Sequence, residues 1–183
     1  MTRSINLGAN AAPFLAYLDD WYAALPSASL AALVGDAPER VAVLSIDMIN
    51  GFCKEGPLSG PRVGALIAPV VALFERAHQL GVRSLVLAYP PHYIAGTPES
   101  QTVAELAALP FADEVAVFEK NSLSSHLGTQ LGDWLRARPE LETFVIIGDC
   151  TDLCVYSAAM HLRLEANALN LRRRVIVPAH AVD

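Results

Sequence analysis

Three side chains in this 183-residue sequence have types and positions that suggest chemistry: Asp47, Lys120 and Cys154. Cys154 lies in GDCTDLCV (148–155), where a run of β-formers, TFVIIGD (143–149), passes directly into a helical pattern. A thiol with a pKa near 8.5 is mostly protonated at neutral pH, and the thiolate is its attacking form. The N-terminus of a helix favours the anion through unpaired N–H groups and partial positive charge. Asp47 could remove the thiol proton and later return it to a leaving amine, while Lys120 could hold Asp47 and balance its charge. The backbone N–H groups of Cys150 and Cys154, in the same turn, could hold the oxyanion of a tetrahedral intermediate. The chemistry these groups suggest is acyl transfer through a thioester. Each residue also has a plainer use, because free cysteines are often buried and inert and an aspartate after a strand often caps a turn.

What links the three is where the elements must place them. The runs RVAVLSID (40–47), VRSLVLA (82–88), EVAVFEK (114–120), TFVIIGD (143–149) and RRVIVPA (173–179) read as strands. Between them, helical spacing covers 61–81, with Pro61 near its start and Gly81 as a stop, then 98–109, 122–138 and 153–169. Apolar strands alternating with helices predict an α/β fold: three α/β/α layers around a parallel, Rossmann-like sheet of five to six strands. Ligands in such sheets bind beyond the carboxyl ends of the strands. Asp47, Lys120 and the Cys150–Cys154 turn all follow strand ends and so emerge on one edge. Residues 1–39 precede this pattern and carry two helical stretches, APFLAYLDDWYAAL and SASLAALVG, split by Pro26. They read as an N-terminal helical arm, docking on the body or on a neighbouring subunit, and 40–183 as one domain.

Composition narrows the class. Hydrophobic residues make up 53% and charged ones 17%, as expected of a chain with a packed core. A net charge of −6 argues against nucleic acid as a partner, and Arg172-Arg173-Arg174 reads as a solvated edge. The three cysteines form no zinc-type CxxC pair and suit a reducing compartment. Asp19 and Asp20 interrupt the first apolar stretch, so no signal peptide is read there, and no apolar run reaches the roughly 18 residues of a membrane span. The expectation is a cytoplasmic protein.

The chain resembles the isochorismatase-like cysteine hydrolases, in particular the nicotinamidase-related branch. VLSIDMINGFCKEGPL (43–58), FEKNSLSSHLGTQLGDWL (118–135) and VIIGDCTDLCVYSAAMHLR (145–163) carry the match, and YPPHYIAGTPES (89–100) is similar to a PPH-xxx-GTP segment of that branch. The resemblance implies a catalytic triad of Asp47, Lys120 and Cys154 and a cis peptide at Asp149–Cys150 that aims the Cys150 and Cys154 amides at an oxyanion. It also implies that Phe52 and Tyr89 stack on a planar substrate; ordinary packing is the alternative for both. The activity implied is hydrolysis of a small planar, nicotinamide-like carboxamide. An isochorismatase-like or N-carbamoyl/ureide hydrolase and a catalytically silent binding member are the alternatives. A homodimer or homotetramer is implied as well. Thr151 and Asp152 are expected to cap the following helix, and Cys53 to be a small buried or pocket-wall residue.

One departure concerns metal. His92 matches a family metal ligand, but the accompanying Asp-x-His is missing where SLVLA runs into YPPHY. One histidine is not a metal site. Either the protein is a metal-free relative, or the sequence lacks a segment between Ala88 and Tyr89, in which case a zinc-like divalent metal is expected.

Overall fold

A computed structural model describes residues 7–89, 96–120 and 122–183. The expected α/β class with a parallel sheet is what folds. The strands are β1 (Val41–Ile46), β2 (Ser84–Tyr89), β3 (Ala116–Glu119), β4 (Thr143–Gly148) and β5 (Arg174–Ile176). They pair in parallel in the order β3-β2-β1-β4-β5. All six residues of β1 are buried, which is why its sequence is a continuous apolar run and not an alternating one.

The two-residue pleat sorts these strands into two cores. Val41, Val43, Val145 and Ile147 face one side, under α5 (Ile67–Gln79) and the short α6 (Ala104–Ala107), and meet Val70, Phe74 and Leu106 there. Ala42, Leu44, Ile46, Phe144 and Ile146 face the other, under α7 (Leu131–Arg136) and α8 (Tyr156–Leu169), and meet Leu131, Leu135, Ala158 and Leu162. Fully buried side chains such as Phe74, Phe144 and Leu162 each stabilise the fold by about 1.5–3 kcal/mol relative to exposure. The chain winds outward from β1 through β2 and β3, then crosses back to β4 and β5. The strand order therefore reverses between β1 and β4, and a crevice opens at such a reversal beyond the strand ends.

Three helix expectations are corrected, the first at 98–109, which forms a 3-10 turn, Pro98–Ser100, and the separate α6. The pattern at 61–81 forms two pieces, α4 (Pro61–Gly64) and α5, preceded by the single turn α3 (Asn50–Cys53). The pattern at 122–138 is helical only in α7. From 122 to 130 hydroxyl groups hold the backbone in turns: Ser124 Oγ accepts the amides of His126 and Leu127, and Thr129 Oγ1 donates to the Ser125 carbonyl. Such local bonds compete with helical ones, and Gly128 at φ +71° completes the turn. The N-terminal arm forms α1 (Leu7–Ala23) and α2 (Leu30–Val34). Among the described residues no helix is long and apolar enough to cross a membrane.

Candidate active site

Strand ends build the site. Asp47 follows β1, Lys120 follows β3, and Cys154 follows the turn after β4. Lys120 has to reach across β2, and its four-carbon stem does so. Its Nζ lies 3.1 Å from Asp47 Oδ2 and donates to Cys154 Sγ at 3.5 Å and to the Ser122 carbonyl at 3.2 Å. Asp47 and Lys120 are almost wholly buried, and Cys154 is 6% exposed. The carboxylate, ammonium and thiol thus meet in one cluster at the β1/β4 reversal. Asp47 sits at φ +59°, a backbone region that non-glycine residues seldom occupy and that recurs where function fixes a side chain.

The thiol is not ionised by its position. Burial first, then the charge of Asp47 and its hydrogen bond to the thiol, push Cys154 up to about 12, outweighing the opposite pull of Lys120. The expected help from a helix N-terminus is corrected here for a structural reason. Cys154 stands in a wide turn, Thr151–Val155, closed by the Val155 N–H donating to the Cys150 carbonyl at 3.0 Å, and the regular α-helix begins only at Tyr156. A protonated thiol beside a carboxylate needs that carboxylate as its base.

The turn has other fixed points. The Asp149–Cys150 peptide is cis. The Cys150 carbonyl accepts the amides of Leu153 and Val155, so the turn closes through this oxygen. The Thr151 amide donates to the Asp183 carbonyl at 2.5 Å, tying the turn to the 181–183 segment. Thr151 and Asp152 do not cap the helix: the helix entry has no side-chain cap, and Asp152 Oδ1 instead accepts the Cys150 thiol at 2.8 Å. All three cysteines are free, and burial holds Cys53 up at about 12.

Gly148, the last residue of β4, faces the Ile46 backbone so closely that a Cβ would lie 2.1 Å from the Ile46 carbonyl oxygen. Only glycine lets β1 and β4 approach this near beside Asp47.

The remaining expected positions fall out differently. Phe52, on α3 just after Asp47, is half-buried and packs against the core under α5. Tyr89 ends β2 paired with Glu119, one residue before Lys120, which puts its backbone at the site; its side chain lies outside the described set. His92 also lies outside the described residues. Gly96–Pro98, the end of the PPH-xxx-GTP segment, turns over α3, where Asn50 Nδ2 donates to the Pro98 carbonyl at 3.0 Å.

Sequence reasoning missed Asp149. It is buried, and burial together with Asp47 pushes its carboxyl up to about 7. The signal was present, since an acidic residue closes an otherwise apolar strand there just as Asp47 does after β1. A metal does not fit the described residues, because among them no group of three or more His, Cys, Asp or Glu is placed to hold one.

Against known proteins, the isochorismatase domain matches residues 41–181. The chain belongs to the isochorismatase family. The matched span begins at β1, after the N-terminal arm. Nicotinamidase 1 of Arabidopsis thaliana is 24% identical over 152 residues, spanning 68% of this chain and 60% of that protein. Among solved structures, N-carbamoylsarcosine amidase from Thermoplasma acidophilum superposes with a TM-score of 0.61 at 27% identity, covering 78% of this chain and 83% of that one. The pyrazinamidase/nicotinamidase from Streptococcus mutans UA159 gives 0.65 at 25% identity, covering 78% and 86%.

Proposed function

We propose that the chain is a cysteine amidohydrolase that cleaves the C–N bond of a small planar carboxamide, with nicotinamide the first substrate to test. The observation that carries this reading is the contact of Lys120 Nζ with both the Asp47 carboxylate and the Cys154 sulfur in one buried cluster. Asp47 takes the thiol proton as Sγ attacks the amide carbon, and the sulfur–carbon bond forms. The amides of Cys150 and Cys154 hold the resulting oxyanion. As the intermediate collapses, the C–N bond breaks, Asp47 returns the proton and ammonia leaves a thioester on Cys154. Water, deprotonated by Asp47, then hydrolyses the thioester to the acid and the free thiol. Lys120 holds the carboxylate in position and offsets negative charge through both halves. In this reading Phe52 and Tyr89 flank the ring.

The similarity to an N-carbamoylsarcosine amidase supports a second reading, hydrolysis of an N-carbamoyl compound by the same three residues. Purified protein is assayed for ammonia from nicotinamide and for free secondary amine from N-carbamoylsarcosine, each with Cys154→Ala as control. Product from one substrate, abolished by Cys154→Ala, supports that reading. Full activity in Cys154→Ala removes the sulfur as nucleophile and ends both.

A further inference from the structure

Asp149 stands inside the site, yet the reaction as written gives it nothing to do. It follows β4 directly, and its amide donates at 3.0 Å to the carbonyl of Ile46, the residue before Asp47. The next residue supplies the Cys150 amide, one of the two N–H groups proposed to hold the oxyanion. Asp149 is 7% exposed, and among the described residues nothing donates a hydrogen bond to its carboxyl. A carboxylate taken out of water without donors is costly, and such a group keeps its proton instead.

The groups facing it push the same way. Asp47 acts on it from the end of β1, Asp152 and the Cys150 thiol from its own turn, Asp183 from the 181–183 segment, Cys53 from α3 and Arg62 from α4. Three of these are carboxylates. Arg62 is a cation, but its side chain is 82% exposed and already bonded to Asp183 at 2.5 Å. Lys120 is held by Asp47 and Cys154. Burial first, then Asp47, Asp183 and Asp152, lift the Asp149 carboxyl to about 7 against the pull of Arg62. Like charges crowded away from water favour the neutral acid.

We propose that Asp149 works as a neutral acid: while it keeps its proton the oxyanion can form at the Cys150 and Cys154 amides, and when it ionises the added charge shuts the reaction down. This deepens the amidohydrolase reading and rests on it. Asp149 is a positioning residue, acting through the Cys150 amide and Asp47 and not on the reacting atoms themselves. Both effects of its ionisation have one sign. A carboxylate beside the oxyanion opposes the negative charge that develops there, and it makes the Cys154 thiol harder to deprotonate. The neutral acid prevails below pH 7 and is lost as pH rises through about 7, so activity falls on the alkaline side. A general base such as Asp47 produces the opposite limb, because it must be ionised to work.

Asp149→Asn keeps the shape of the neutral acid and cannot ionise. kcat/KM is measured from pH 6.0 to 8.5 on whichever of nicotinamide and N-carbamoylsarcosine is hydrolysed. Over the same range the rate of Cys154 alkylation by iodoacetamide is followed by peptide mass spectrometry. Each protein is compared with itself across pH, so a variant of changed absolute rate still reports. Wild-type kcat/KM is expected to fall by about tenfold or more between the two ends, and the Asp149→Asn profile to lose that fall. The ratio of variant to wild-type alkylation rate is expected to rise by at least about threefold from pH 6.0 to 8.5. If neither compound is hydrolysed the amidohydrolase reading fails, and the alkylation ratio alone decides the role of Asp149. Asp149→Ala, read in the same way, takes the place of an asparagine variant that circular dichroism shows to be unfolded. A wild-type profile without the alkaline fall, the same fall in the variant, or an alkylation ratio constant with pH would each overturn the proposal.

Discussion

Replacing Gly148 by alanine tests the link between backbone packing and the site. The new Cβ would stand 2.1 Å from the Ile46 carbonyl oxygen, 2.9 Å from its nitrogen and 3.0 Å from its carbonyl carbon, all backbone atoms with no rotamer to yield. The residue also sits at φ +106°, which costs an L side chain about 1–2 kcal/mol. Overpacking adds about 1–3 kcal/mol. The Ile46 oxygen accepts the Asp149 amide at 3.0 Å, and losing that bond adds about 1 kcal/mol. The expected loss of stability is therefore about 3–6 kcal/mol. To relieve the clash, β1 and β4 must part by about 1 Å where they carry Asp47 and the Cys154 turn. A displacement of that size costs on the order of 100-fold in rate. Urea unfolding followed by tryptophan fluorescence measures the first effect, as a midpoint lowered by at least 1 M at an m-value of about 1–3 kcal/mol/M. Initial rates on whichever of the two proposed substrates proves to be hydrolysed measure the second. Gly60→Ala is the control, because its Cβ meets nothing within 4 Å, and little change is expected. A Gly148→Ala protein within 1 kcal/mol of wild type and fully active would refute the reasoning.

Other substitutions probe the cluster directly. Lys120→Met leaves the buried Asp47 without its cation, and breaking such a pair costs about 3–5 kcal/mol; urea unfolding should show this loss, together with a fall in kcat of at least 100-fold. Asp47→Asn keeps the shape but cannot take the thiol proton, so activity at pH 7 should fall at least 100-fold, and a variant that keeps wild-type activity there would argue against Asp47 as the base. His126 is buried and stacks on His161 with ring centroids 3.6 Å apart. Burial, then His161, hold it down at about 3, with Arg173 also lowering it and Glu165 opposing. The unfolded chain, near 6.5, takes up this proton first as pH falls. The group's stabilisation is thus complete above pH 6.5 and is lost as pH falls from there towards 3, by about 2 kcal/mol at pH 5. In urea titrations at pH 7.5 and 5.0, His126→Phe should lose about that much less than wild type on acidification; equal losses would remove the effect.

The legibility of the chain varied with the range of the interactions. The strands were readable because each is a short apolar run between breakers, and burial of β1 and β4 on both faces leaves no alternation to misread there. Helix 122–138 was overread because its apolar spacing is real, yet the hydroxyls of Ser124 and Thr129 capture the backbone groups a helix would use. At the site, Asp47, Lys120 and Cys154 were legible because each follows a strand end. Asp149 was passed over because a carboxylate closing a strand looks like turn chemistry until its burial against Asp47 is visible.

By itself the sequence determined the parallel sheet, the edge on which chemistry is possible and the three residue types offered there, since periodicity and strand ends are local properties. Only the tertiary structure decided that Lys120 spans β2 to touch both partners, that the thiol is held protonated, and that Asp149 is buried beside Asp47. Those outcomes depend on desolvation and on distances between segments far apart in the chain, which no local pattern records.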